Sequence, residues 1–266
     1  DFHLFGSITD VSSYSRIATI QWKIRDHFPK KVLEEAELIA KQKNEENKED
    51  YLRKNFITID PDDAKDLDDA IFVEKDQDLK NKDGFIVYIA IADVSYFVNL
   101  GSEIDFEAKK RGNSTYFPDK VIPMLPEVIS NEICSLKTGS LKRCIIAKIT
   151  IDKNGKKLSH SFQRNLIKIA NNFSYGQFNR FLEIGYSENN EFAVYKREYK
   201  ILKHSILLKN RLLLNLSEKK IEIGSKNFEI KIFEKKQLKS NELIELLMIL
   251  ANTSVAELLR AKSVNS

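Results

Sequence analysis

Asp60, Asp62, Asp63, Asp66, Asp68 and Asp69 put six carboxylates into ten residues, between the apolar runs Phe56–Ile59 and Ala70–Val73. Neighbouring carboxylates repel and raise one another's pKa unless positive charge offsets them. A divalent cation is the simplest counter-charge, and oxygen-only donors select Mg²⁺ or Mn²⁺ over zinc. Asp60 falls at the end of a strand pattern, and Asp66, Asp68 and Asp69 follow after a short connection. In an extended segment Asp66 and Asp68 share a face and Asp69 points away, whereas a loop can aim all four at one point. Carboxylates so arranged hold one or two ions about 4 Å apart, which activate water and stabilise the leaving oxygen in phosphodiester cleavage.

Three other motifs compete for these residues. An EF-hand loop starting at Asp66 needs glycine at its sixth position and glutamate at its twelfth; Ile71 and Gln77 stand there instead. Asp62-Asp63-Ala64-Lys65-Asp66 matches the DDxxD pattern of prenyl-diphosphate enzymes, but that pattern needs a helix, which Pro61 and the flanking strands oppose. Asp60-Pro61-Asp62 resembles the first motif of aspartyl-phosphate phosphatases and leaves Asp66, Asp68 and Asp69 without a role. The bland alternative is a solvated acidic loop, which is seldom pinned between two apolar strands.

Alternating and periodic apolar residues outline the elements that must position the acids. Strands are expected at Ile17–Gln21, Phe56–Ile59 and Ala70–Glu74, and a strand buried on both faces over Phe85–Val98. Asp93 interrupts that run and needs partners if buried, either supporting the acidic site or accepting from backbone donors. Helices are expected at Lys30–Lys43, Ser174–Glu183, Phe192–Leu216 and Ser240–Lys262. Asn44–Arg53 is highly charged and reads as a surface connection. Ser102, with Asp105 three residues on and Gly112 beyond, marks a further capped helix. Asn154-Gly155 joins Ile145–Ile151 to Leu158–Ile169 as a hairpin, and Ile221–Ile223 with Phe228–Phe233 forms a second. Strand pairs mixed with long helices give an α+β fold.

The chain has 266 residues, 42 % hydrophobic, enough for a sizeable core. No apolar run reaches the 18 or more residues of a membrane span, and no secretory signal pattern is present. Cys134 and Cys144 have no metal-ligand spacing and suggest no disulfide framework. His3, His27, His160 and His204 are scattered, so no nucleophile–His–acid set forms and hydrolysis would rely on activated water. A net charge of +4 argues only weakly for nucleic acid. Lys109-Lys110-Arg111, Lys142-Arg143 and Lys156-Lys157 could track phosphates, although any one such run is ordinarily a solvated face.

Thr58-Ile59-Asp60-Pro61-x-Asp63-Ala64-Lys65-Asp66-Leu67-Asp68-Asp69-Ala70 resembles the signature of the ribonuclease II / ribonuclease R (RNB) exoribonucleases. Ile91-Ala92-Asp93-Val94-Ser95, Arg111-Gly-Asn-Ser-Thr-Tyr116-Phe-Pro118, Ile122-Pro-Met-Leu-Pro126, Ser135-Leu136 and Leu246-Leu-Met248-x-x-Ala251-Asn252 follow in the family's order. The resemblance covers about Asp50 to the C-terminus and leans toward the ribonuclease R branch.

It implies a mixed β-sheet catalytic domain over 55–266, incomplete at its C-terminal end, behind a helical linker over 27–54. Residues 1–26 would be the tail of a cold-shock-type (OB) barrel. The implied activity is processive, hydrolytic 3′→5′ degradation of single-stranded RNA to nucleoside 5′-monophosphates, with Mg²⁺ (or Mn²⁺) on Asp60, Asp66, Asp68 and Asp69. Tyr116 would clamp the terminal bases and set the final product length. Tyr175, in Phe173-Ser174-Tyr175-Gly176-Gln177, would lie near the 3′ nucleotide, and Glu245 would help select ribose. The family's later arginine and its S1-type module have no match here, so a fragment of low activity is expected. The enzyme would be a cytoplasmic monomer. The alternatives are a catalytically silent RNA-binding paralogue and a phosphatase built on Asp60 and Asp62.

Overall fold

The structure, a computed structural model of the chain, describes residues 6, 11–41, 51–183, 193–204, 219–223, 230–234 and 237–262. In chain order the elements are α1 (Val11–Gln21), α2 (Lys30–Ala40), β1 (Phe56–Asp60), β2 (Asp69–Lys75), β3 (Phe85–Ala92), α3 (Val94–Phe97), α4 (Glu103–Arg111), β4 (Thr115–Tyr116), β5 (Val121–Ile122) and a π-helical turn at Val128–Ile133. Then come β6 (Leu141–Ile151), β7 (Lys157–Ser174), α5 (Tyr175–Glu183), α6 (Ala193–His204), β8 (Lys219–Ile223), β9 (Ile230–Glu234) and α7 (Lys239–Ala261). They fall into two compact units. One comprises 1–43, 95–133 and 214–236; the other comprises 44–94, 134–213 and 237–266.

The second unit is built on a closed barrel in the order β1-β2-β3-β6-β7. All its pairings are antiparallel except β1 with β7, which is parallel and sets Thr58 opposite Asn172 and Asp60 opposite Ser174. Alternate residues Ile57, Ile59, Ile71, Val73, Val87 and Ile149 join a core with Phe178 and Leu182 of α5 and Leu243, Leu247 and Leu250 of α7. Helix α7 buries positions spaced three and four apart (Leu243, Ile244, Leu246, Leu247, Leu250, Ala251), the stripe a barrel-facing helix needs. Each fully buried side chain of this size contributes about 1.5–3 kcal/mol.

In the first unit Ser102 caps α4 by accepting from the Asp105 amide, and Gly112 ends it at φ 77°. Two short hairpins, β4–β5 and β8–β9, complete the described residues of this unit. No helix among the described residues is long and apolar enough to cross a membrane.

Several expectations are corrected here. Ile17–Gln21 is the C-terminal half of α1 and not a strand. Its buried residues are polar, Ser13, Ser15 and Thr19, while Tyr14, Ile17 and Ile20 are exposed, so the apolar pattern marks the wrong face. Thr19 tolerates burial because its hydroxyl donates to the Ser15 carbonyl at 2.6 Å. Strand β3 stops at Ala92 instead of running to Val98. Asp93, 2 % exposed, turns away to pair with Arg164 at 3.0 Å, and its amide donates to the Arg143 carbonyl. The strand opposite β6 runs on to Ser174, and Ser174 then caps α5 by accepting from the Gln177 amide. In the expected connection Asn44–Arg53, Tyr51 is buried. Residues 42–50, 192, 205–216, 228 and 229, on which parts of the expected elements fall, lie outside the described residues.

Candidate functional site

Strand β1 carries Asp60 to one end of the barrel, and Asp69 opens β2 at the same end, opposite Ile91 of β3. The connection between them is tied down from inside. The Leu67 amide donates to the Ser135 hydroxyl at 3.0 Å, which in turn donates to the Lys65 carbonyl at 2.8 Å. The Leu136 amide donates to the Leu67 carbonyl and the Ala92 amide to the Asp68 carbonyl, at 2.8 and 2.9 Å. Ser135 is fully buried and Leu67 nearly so, so the acidic loop is held at its root.

The six aspartates separate into two sets. Asp62 and Asp63 are exposed on the turn after Pro61. Asp60, Asp66, Asp68 and Asp69 are coupled by charge. Burial pushes Asp69 up to about 7, and the charges of Asp60 and Asp68 add to it. Burial likewise pushes Asp60 up to about 6; a Thr58 hydrogen bond opposes the shift, and Asp68 and Asp66 reinforce it. Asp68 is raised by enclosure of its carboxyl group and then by Asp66. Asp60 Oδ2 is buried with no hydrogen-bond partner.

These carboxyls interact through charge without yet converging. Among the described residues, no three acidic, imidazole or thiol groups stand at ion-holding distance. The donor set nevertheless fits a hard divalent cation, being all oxygen, with one buried oxygen unsatisfied and no cationic side chain among the described residues offsetting Asp60, Asp68 or Asp69.

Tyr175 joins this cluster. The first residue of α5 is half-buried, its phenol pushed up to about 12 by burial and then by the charges of Asp69 and Asp60. A hydrogen bond with Asn241 of α7 opposes that shift, and the Ser240 hydroxyl donates to the Tyr175 carbonyl at 2.8 Å. Glu245 is exposed on α7 and accepts from Gln237 Nε2 at 3.1 Å. Tyr116 ends β4 in the other unit, 67 % exposed.

Three supporting residues escape sequence reasoning about chemistry. Thr58, 1 % exposed, hydrogen-bonds Asp60 and accepts from Asn172 Nδ2 at 3.0 Å. Asn172 also donates to the Leu136 carbonyl and accepts from the Thr138 amide, joining β1, β7 and the loop that carries Ser135. Thr58 and Ser135 lie within the quoted motifs, but nothing in a single sequence assigns their hydroxyls a partner. Asn172 carries no signal at all, because its pairing with Thr58 spans 114 positions.

The RNB domain family model matches residues 48–266. Ribonuclease R of Mycoplasmopsis pulmonis is 36 % identical over 243 residues, covering 86 % of this chain and 32 % of that protein. The chain therefore spans about a third of the length of that curated relative. The structure of Mycoplasma genitalium RNase R in complex with ribose methylated single-stranded RNA superposes with a TM-score of 0.87 at 29 % identity, over 98 % of this chain and 42 % of that one. The structure of yeast Ssd1, a pseudonuclease, shares the fold with a TM-score of 0.61 at 18 % identity, over 80 % of this chain and 26 % of that one.

Proposed function

The chain belongs to the RNB domain family, and on that premise we propose that it is a 3′→5′ exoribonuclease. Its substrate is single-stranded RNA, hydrolysed processively to nucleoside 5′-monophosphates, and its cofactor is Mg²⁺ or Mn²⁺. The observation that carries this reading is the set of four coupled carboxylates at the barrel end, two of them pushed up to about 6 and about 7 and one with a buried orphan oxygen. Asp60, Asp66, Asp68 and Asp69 are the residues that would hold the cation. When bound, a divalent cation supplies a water acidified toward neutral pH and offsets charge on the leaving oxygen.

The chain's own residues do the rest. Thr58 and Asn172 orient Asp60, and Ser135 fixes the loop that carries Asp66 and Asp68. Tyr175, held protonated through the physiological range, donates a hydrogen bond to a phosphate or ribose oxygen beside the acids. Tyr116 offers an exposed ring on which any base can stack, at about 1–3 kcal/mol per base. Glu245 accepts from a 2′-OH, which distinguishes RNA from DNA. Reading 1–26 as a cold-shock barrel tail stands on the resemblance alone. A cytoplasmic monomer belongs to the same proposal.

The pseudonuclease fold of Ssd1 keeps a second reading in view, a silent RNA-binding relative. Uncompensated carboxylates oppose it, because a binding protein gains nothing from crowding four negative charges where RNA phosphates must approach. The phosphatase reading is disfavoured by the exposure of Asp62.

The test is a 5′-labelled single-stranded RNA incubated with the chain and Mg²⁺, with and without EDTA, beside a DNA of the same sequence. The proposal expects shortening of the RNA alone, from its 3′ end, abolished by EDTA. RNA that is bound but left intact even with the chain in large excess and on long incubation supports the silent relative and contradicts the nuclease.

A further inference from the structure

Trp22 is the only tryptophan in the chain and is 73 % exposed. It lines a recess of about 200 Å³ within the first unit, together with Lys23, Arg25, Lys110, Arg111 and Asn113. Leaving a large indole in water forgoes the burial that usually stabilises it. Its neighbourhood is cationic. Two of the cations are already engaged: Arg25 and Arg111 both hold the buried carboxylate of Glu107. Lys23 and Lys110 have no ion-pair partner among the described residues, and both are exposed.

The backbone shows a third feature. Helix α1 ends in a left-handed stop, with the Lys23 amide donating to the Ile20 carbonyl at 3.1 Å and the Ile24 amide to the Thr19 carbonyl at 2.8 Å. The residue in the left-handed position is Lys23, at φ 54°. Glycine takes that position without strain. A lysine there lines the same recess as Trp22 and holds a left-handed backbone at a conformational cost that the turn itself does not require.

We propose that this recess is a nucleotide subsite for single-stranded RNA, separate from the acidic cluster, with one base stacked on Trp22 and the adjoining phosphates held by Lys23 and Lys110. The proposal rests on the RNA reading above. A flat ring bordered by unpaired cations, with the Asn113 amide near a base edge, is the chemistry of sequence-tolerant single-strand binding. A recess of this volume holds one ring system and not a duplex.

The single tryptophan makes the site its own reporter. The chain is titrated with unstructured RNA in EDTA, so that the RNA stays intact, while Trp22 emission and the anisotropy of labelled RNA are followed together. The proposal expects saturable quenching that tracks the anisotropy. Trp22→Ala should weaken binding about 5- to 100-fold, the equivalent of one stacked base, while Trp22→Phe retains most of the affinity. Lys23→Gln should lower the salt slope by about 0.7, the value of one phosphate contact on a single strand. RNA that binds without altering Trp22 emission overturns the subsite and leaves the RNA reading intact. No binding by either signal overturns both. Emission that changes with chain concentration but not with RNA makes the face a contact between copies, and also overturns the subsite.

Discussion

Glu107 and Asp69 are both acids withdrawn from water, and the chain treats them in opposite ways. Glu107 is 3 % exposed, with Arg25 at 2.8 Å and Arg111 at 3.0 Å. The Arg25 hydrogen bonds, aided by Arg111, hold its carboxyl below the usual range against the opposing effect of burial. Asp69 has burial and two further carboxylates around it, and is pushed up to about 7. The chain can therefore place arginines on a buried acid, and does so again where Arg164 meets Asp93. Among the described residues, none is paired with Asp60, Asp68 or Asp69. The first arrangement holds structure together; the second stores a cost of burial, and secondarily of repulsion, that a cation can relieve.

Asp68→Asn should lower RNA shortening about 100-fold or more, the scale of losing one preorganised charged group from a site, while RNA binding measured in EDTA survives. Collapse of binding together with cleavage would give Asp68 a structural role like that of Glu107. Glu107→Gln should do the reverse, destabilising the chain by about 3 kcal/mol in urea unfolding because it strands arginine charge in a buried pair. A neutral result would show that the ion pair is ornamental.

Ser135→Ala leaves the Leu67 amide without its acceptor and should cost about 1–3 kcal/mol, with a lower turnover as the acidic loop loosens. Unchanged turnover would mean that the loop is held without it. Tyr116→Ala should change the length of the last undigested oligonucleotide, read on a sequencing gel, with little change in rate. An unchanged end product would place the clamp elsewhere.

The acids were legible because charge crowding is a local property of sequence, and so were the Ser102 cap, the Asn154-Gly155 hairpin and the α7 stripe. Helix α1 was not, because its buried face is made of Ser13, Ser15 and Thr19, which no apolar periodicity reveals. The end of β3 was not, because Val94, Tyr96 and Phe97 extend its apolar run; the break comes at Asp93, which meets Arg164, 71 positions away in sequence. Closure of the barrel by the parallel β1–β7 pair is equally non-local, and with it the Asn172–Thr58–Asp60 relay. What a short window contains could be read; what distant strands bring together could not.

The cost of burying these carboxylates together is read out by thermal unfolding of the wild-type chain and Asp69→Asn, with and without Mg²⁺, at about pH 5 and about pH 8. The folded pKa values of about 7 for Asp69 and about 6 for Asp60 lie above the ordinary 3.8. The metal-free wild type should therefore be most stable below about pH 4 with respect to these groups, and lose that stability as pH rises to about 7. Mg²⁺ should restore it at about pH 8, by about 2.7 kcal/mol at a hundredfold excess over its dissociation constant, and much less at about pH 5, where protons occupy the same oxygens. Metal-free Asp69→Asn should melt higher than wild type at about pH 8 and respond little to Mg²⁺. A wild-type chain indifferent to Mg²⁺ at both pH values, or a variant that melts lower without metal, would contradict the account.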